Sequence, residues 1–260
     1  MAIWALVTGA SEGLGREFAI LAAKSGFDVI LTARQVDKLE SHAESLRRAY
    51  NVAVVVIPAD LADSDAAEQL WLDAANGRQI GVFVNNAGLG HIGAFADEGG
   101  WPREAATIAV NMIAATILMK RAVVHMKAAG DGRILNVAST AGFMPGPGMA
   151  VYHASKAYLL NLSEAVAEEL RGTNVFVTAL CPGATETGFF VADDAVGATL
   201  LARMPMATAQ SVAEAGWQAM EKGRRVKVTG ALNKVLAFAP RVLPRRVIAR
   251  IAAVIHRKRW

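Results

Sequence analysis

Seven short apolar runs recur along the chain, each separated from the next by a segment of helical spacing, and this alternation limits the available folds more than any other feature. The runs lie at 2–8, 28–33, 53–57, 81–85, 132–137, 174–180 and 225–228. Each is rich in β-branched residues and apolar on both faces, as a strand must be when helices cover both sides of its sheet. The segments at 14–25, 36–49, 64–76, 101–128, 149–171 and 208–221 have the spacing of helices. Strand–helix alternation predicts an α/β chain, a doubly wound parallel β-sheet with helices on both faces and right-handed crossovers. At 260 residues and 53% hydrophobic content the chain can bury one large core. Residues 1–230 are therefore read as one domain, and 231–260 as a basic extension beyond it.

The first run leads directly into TGASEGLGRE, 8–17, where Gly9, Gly13 and Gly15 fall at a strand-to-helix turn. Glycines there let the backbone approach a pyrophosphate, and the helix that follows points its first N–H groups at the anion. A carboxylate at the end of the second strand would favour NAD, and an arginine the 2′-phosphate of NADP. The chain has Ala33 followed by Arg34, so NADP(H) is favoured, with NAD(H) as the alternative. Glu12, inside the glycine turn, counts the other way, because a carboxylate repels a phosphate. The single cysteine, Cys181, rules out an intrachain disulfide, and the five histidines are too scattered for a metal centre. The N-terminus reads as a first strand rather than a signal peptide, and no stretch of about 18 apolar residues is free of charge. A cytoplasmic protein is expected.

Tyr152 and Lys156 stand just over one helical turn apart, on one helix face. A phenol titrates near pH ~10, and a neighbouring ammonium favours its ionised form. Together with TGASEGLG (8–15), ADL (59–61), NNAG (85–88), Asn111, Ser139 and PGATET (182–187), the pair resembles the short-chain dehydrogenase/reductase family over roughly 3–230. The stretch ARQVDKLE after the second strand departs at Gln35 from the ARR..KLE of one reductase group within it. The resemblance implies a Rossmann-type sheet and an oxidoreductase acting on CH–OH groups. It implies Asn111, Ser139, Tyr152 and Lys156 as the catalytic set. Tyr152 would exchange the proton, and Lys156 would lower the tyrosine pKa and hold the nicotinamide ribose. Ser139 would bond the substrate oxygen, and Asn111 would hold a water in a relay to Lys156. For the cofactor it implies Gly9, Ser11, Gly13, Leu14 and Gly15 at the phosphates, and Asp60 and Leu61 at the adenine. Asn86, Ala87 and Gly88 would stand beside the ribose, and Pro182, Gly183 and Thr187 at the nicotinamide, with Tyr152 and Lys156. It also implies a homodimer or homotetramer.

The segment 188–206 is expected to close the substrate pocket, with Phe143, Met144, Pro145 and Pro147 opposite, which suits an apolar ketone, aldehyde or secondary alcohol. His153, next to Tyr152 but about 100° round the helix, is expected in packing or at the surface, and His91 in a loop. From Lys222 to Trp260 there are 12 Lys and Arg and no acid, which leaves 15 basic against 23 acidic residues in the rest, a formal −8. Within 241–260, Val247, Ile248, Ile251, Val254 and Ile255 form an apolar stripe bordered by Arg245, Arg246, Arg250, Arg257, Lys258 and Arg259. Such a helix can lie on an anionic membrane, or pack on the acidic body or a sister subunit. Three other functions compete with the reductase: an NAD-dependent hydroxy-compound dehydrogenase, a non-catalytic dinucleotide sensor and a nucleic-acid-binding module. The full Asn111, Ser139, Tyr152, Lys156 set argues against the sensor. The acidic body argues against nucleic acid, which is not expected as a partner.

Overall fold

The computed structural model describes residues 2–186 and 206–256, with the side chains at 255 and 256 excepted. Seven strands form one parallel sheet: β1 (Ile3–Thr8), β2 (Asp28–Thr32), β3 (Val54–Val56), β4 (Gln79–Asn85), β5 (Gly132–Val137), β6 (Val175–Cys181) and β9 (Val226–Val228). Their order is β3-β2-β1-β4-β5-β6-β9. A separate two-residue ladder, β7 (Thr185–Glu186) with β8 (Ala207–Thr208), was not expected from the apolar runs, being too short to carry a period. The helices α1 (Gly13–Lys24), α2 (Val36–Tyr50) and α7 (Ala209–Glu221) cover one face. On the other lie α3 (Ser64–Ala75), α5 (Ala115–Ala129) and α6 (Ala150–Glu169).

Both faces of the sheet are dry, which explains why the strands read as continuous apolar runs. Phe18, Leu39 and Trp217 pack with Val7, Val29 and Leu180 on the first side. Leu70, Leu118 and Met126 pack with Leu6, Phe83 and Ile134 on the second. Chain order reverses between β1 and β4, so the loops after these two strands diverge and leave a crevice at the carboxyl end of the sheet. The helical run expected at 101–128 is present, but with a change of pitch inside it. After α4 (Trp101–Ile108), residues Ala109–Ala114 form a π-helical turn before α5. The run from Glu98 to Ala129 is long and apolar enough to cross a membrane, yet it forms part of the core, packed beneath β4 and β5. Beyond β9 the chain adds α8 (Ala231–Phe238) and α9 (Arg245–His256), the latter starting directly after Pro244 as the sequence predicts.

Candidate active site

One cavity of about 460 Å³ occupies the crevice and extends from the glycine turn past the ends of β4 and β5 to α6 and α8. At its first end, Gly9 has φ +65°, in the left-handed region that glycine adopts without strain. A Cβ on Gly15 would stand 2.0 Å from the Gly9 carbonyl oxygen, so only glycine lets α1 sit this close to the turn. No side chain caps the start of α1, where Glu12 is the extended N-cap residue. The orphan N–H groups of its first turn are thus left at a wall of the cavity formed by Gly9, Ser11, Gly13 and Leu14. Uncapped N–H groups beside a glycine cradle fit a dinucleotide pyrophosphate.

Thr8 fastens the second wall. Its Oγ1 accepts from the Asn86 and Ala87 N–H groups, both at 2.9 Å, while the Asn86 side-chain amide donates to the Thr8 carbonyl at 2.8 Å. Asn86 therefore ties the loop after β4 to the glycine turn and, with Ala87 and Gly88, lines the cavity. Asp60 and Leu61 line it too, and Asp60 Oδ1 accepts from the Ala62 N–H at 3.1 Å. Arg34 lies exposed at the rim, following β2. Lys38 reaches the Glu12 carboxylate at 3.0 Å, which offsets the charge that counted against a phosphate.

At the far end the expected catalytic residues converge. Ser139, directly beyond β5, N-caps a short 3₁₀ turn, with its Oγ accepting from the Ala141 N–H at 3.1 Å. It lines the cavity with Tyr152 and favours the ionised form of that phenol. Lys156 is buried, its Nζ 5.8 Å from the centre of the Tyr152 ring and donating to the Val137 carbonyl at 2.8 Å. Burial pushes the Tyr152 phenol up to about 12, against the lowering pull of Ser139. Burial likewise brings the Lys156 ammonium down to about 8. The expected lowering of the phenol by Lys156 is not found here. Removing water from two neighbouring groups disfavours the charged form of each, and this outweighs the pull of Ser139 on the phenol and of Cys181 on the ammonium. Near neutral pH Tyr152 is a phenol holding its proton, the form a general acid needs.

Asn111 sits in the π-helical turn, and the altered pitch aims its amide at the loop after β4. Its Oδ1 accepts from the Leu89 N–H and its Nδ2 donates to the Leu89 carbonyl, each at 2.8 Å. Nδ2 also donates to Ser155 Oγ at 2.9 Å. Both amide hydrogens are thus committed to holding that loop against α6. A second buried amide pair, Asn85 with Asn136 at 3.0 Å, continues through Ser163 and braces β4, β5 and α6 behind the site.

The structure departs from expectation on the substrate side. Of Phe143, Met144, Pro145 and Pro147, only Met144 lines the cavity. Phe143 packs instead against a buried cluster of Ala138, Leu160, Ala179 and Cys181, because the 3₁₀ turn rotates it inward. His153 is buried in packing, as expected, but it also lines the cavity, and its Nδ1 lies 2.9 Å from the Met144 carbonyl. His91 lies in the loop after β4, against Gly93 and Gly100. Pro182 and Gly183 line the cavity beyond β6, whereas Thr187 and the segment 188–205 lie outside the described residues. Sequence reasoning missed Asn233 and Leu236. Both belong to α8 and line the cavity, with the Asn233 amide filling the space a Gly183 Cβ would need. A sequence signal was available, Gly230 followed by the run ALNKVLAF, but these residues fall in the stretch read as the extension.

A family model described as short chain dehydrogenase matches residues 3–195. The chain is similar to a very-long-chain 3-oxoacyl-CoA reductase of Laccaria bicolor, 37% identical over 179 residues, which cover 67% of this chain and 52% of that protein. The match therefore spans only about half of that relative's length. It is also similar to a 7beta-hydroxysteroid dehydrogenase of Mediterraneibacter gnavus, 33% identical over 244 residues, 89% of this chain and 87% of that one. Among solved structures, a short-chain dehydrogenase from Sphingobium yanoikuyae in complex with NADPH superposes with a TM-score of 0.81 at 28% identity, over 93% of this chain and 94% of that chain.

Proposed function

The chain belongs to the short chain dehydrogenase family, and from that premise we propose that it is an NADP(H)-dependent oxidoreductase that interconverts an apolar ketone or aldehyde and its alcohol. The observation that carries this reading is the convergence of Tyr152, Ser139 and buried Lys156 in one cavity that is continuous with the uncapped start of α1. The bound nicotinamide would supply or accept the hydride. The chain's own residues do the rest. Ser139 and Tyr152 together aim two hydroxyl donors at the carbonyl oxygen on which negative charge grows during reduction. Tyr152 gives that oxygen its proton, and in the reverse direction takes it back. Lys156 stands beside the phenol and would hold the ribose hydroxyls of the cofactor. Asn111 positions the loop after β4, so that its backbone keeps its place against α6.

NADP(H) is favoured over NAD(H) by Arg34 at the rim, by the absence of an acid at residue 33, and by Lys38 against Glu12. The NADPH in the Sphingobium yanoikuyae structure agrees with this. Met144, Met149 and Leu236 make the substrate end apolar, and the relatives' names, a 3-oxoacyl-CoA reductase and a hydroxysteroid dehydrogenase, point to extended apolar substrates. The test is a panel of aliphatic, steroidal and long-chain carbonyls, with the matching alcohols, assayed with NADPH, NADH and their oxidised forms. Turnover of apolar carbonyls with NADPH is expected. Cofactor binding without turnover of any member would replace the reductase with the dinucleotide sensor. Faster turnover with NADH would leave the NAD-dependent hydroxy-compound dehydrogenase.

A further inference from the structure

The helices α8 and α9 carry an uncovered apolar surface. On α8, Asn233, Leu236 and buried Ala237 face inward, the first two into the cavity. The adjoining strip of the same helix, Leu232, Val235 and Phe238, is exposed, each side chain by more than half. Val242 and Leu243 continue the strip through the turn, both exposed. On α9, Ile248 and Ala252 are buried, while Val247, Ile251 and Val254 are exposed. At about 100° per residue the last three share an arc of roughly 60°, with Arg250 and then Arg246 along its open edge. Lys234, Arg241 and Arg245 are exposed on the same segment, and no Asp or Glu occurs from 222 onwards.

We infer that this face docks on a bilayer containing anionic phospholipid, and that it brings the cavity mouth to the surface from which an apolar substrate is drawn. The exposed aliphatic and aromatic residues enter the acyl boundary, while the arginines reach back to the headgroup phosphates. Two observations favour a bilayer over a second copy of the chain. A two-fold contact through this face would set arginines against arginines, with no acid on the segment to separate them. The exposed strip also borders the side of α8 that lines the cavity, so docking shortens the path from the membrane to the site. The delivery role rests on the apolar-substrate reading; the docking itself does not.

The test is co-sedimentation of the full chain, without cofactor or substrate, with vesicles of phosphatidylcholine alone or mixed with phosphatidylglycerol. Binding to the anionic vesicles is expected to be at least about tenfold tighter than to the neutral ones, since each basic residue near the surface adds several-fold. The pair Phe238→Glu and Ile251→Glu should lose at least about tenfold of that binding. The pair Arg246→Glu and Arg250→Glu should abolish the preference for anionic lipid. These positions are exposed, and both variants are expected to keep the parent's far-ultraviolet circular dichroism and melting temperature. Parent protein remaining in the supernatant with anionic vesicles at low salt would overturn the proposal. Equal binding by the parent and both variants would overturn it as well. Self-association of the parent that both variants abolish, without vesicle binding, would assign the face to a second copy. Because no turnover is measured, a failure here leaves the reductase reading standing, and failure of the carbonyl panel leaves the docking standing.

Discussion

Tyr152→Phe keeps the ring beside His153 and removes only the hydroxyl. Turnover is expected to fall at least about a hundredfold, the lower scale of general acid catalysis, while NADPH binding by fluorescence titration changes little. Retention of more than a tenth of the parent rate would remove Tyr152 from the acid role. Arg34 is exposed at the cavity rim, where a charge-assisted contact to a phosphate is worth about 1–2 kcal/mol. Arg34→Ala should narrow the preference for NADPH over NADH by roughly 5- to 30-fold on that scale, read from kcat/KM with each cofactor. An unchanged ratio would mean that Lys38 or another group reads the phosphate.

The π-helical turn between α4 and α5 is where element geometry serves the site. A regular α-helix through Ala109–Ala114 would offset the following side chains by a part of a turn, and the bridge from Asn111 to Leu89 and Ser155 depends on the altered pitch. Asn111→Ala leaves the Leu89 N–H, the Leu89 carbonyl and Ser155 Oγ each without that partner. At about 1 kcal/mol for each lost bond, the variant should unfold about 2–4 kcal/mol more easily and melt roughly 5–10 °C lower. Asn111→Asp keeps an acceptor for the Leu89 N–H and should recover part of that loss. Equal melting temperatures for the parent and Asn111→Ala would show that the bridge contributes nothing to stability.

At the scale of the molecule, the buried pair makes stability depend on pH. Folded Lys156 titrates at about 8, below the ~10.4 of a free lysine, so between these values the unfolded chain holds more protons. Lys156 therefore makes stability rise with pH from about 8, and above about pH 9 this is opposed by Cys181, whose thiol burial pushes up to about 12. Tyr152 acts in the opposite sense higher up, since its folded value of about 12 exceeds the ~10 of a free phenol and its contribution is lost as pH climbs from ~10 towards 12. Urea midpoints taken at intervals from pH 7 to about 8.5, below the range in which Cys181 opposes it, should climb for the parent and flatten for Lys156→Met, which buries no charge. Parallel curves for the two proteins would mean that Lys156 is not the group responsible. Lys156→Met should also be the more stable of the two at neutral pH and the less active, as expected where a buried charge is kept for function.

The strands, the glycine turn and the position of Tyr152 and Lys156 on α6 were all legible in the sequence, because each follows from a short-range rule. A two-sided apolar strand, a Gly-rich strand-to-helix turn and a four-residue helical interval need only neighbours along the chain. The cavity wall was not legible in the same way. Whether Phe143 or Met144 faces the substrate depends on the sense of a 3₁₀ turn, and Asn233 reaches Gly183 only because α8 folds back across the end of β6. The pKa values of Tyr152 and Lys156 were likewise beyond the sequence: spacing brings an ammonium near a phenol, but the depth of burial decides whether attraction or desolvation prevails. The sequence alone determined which residues are neighbours on one element. Which elements meet, and how much water is left between them, only the tertiary structure decided, since both depend on contacts between residues far apart in the chain.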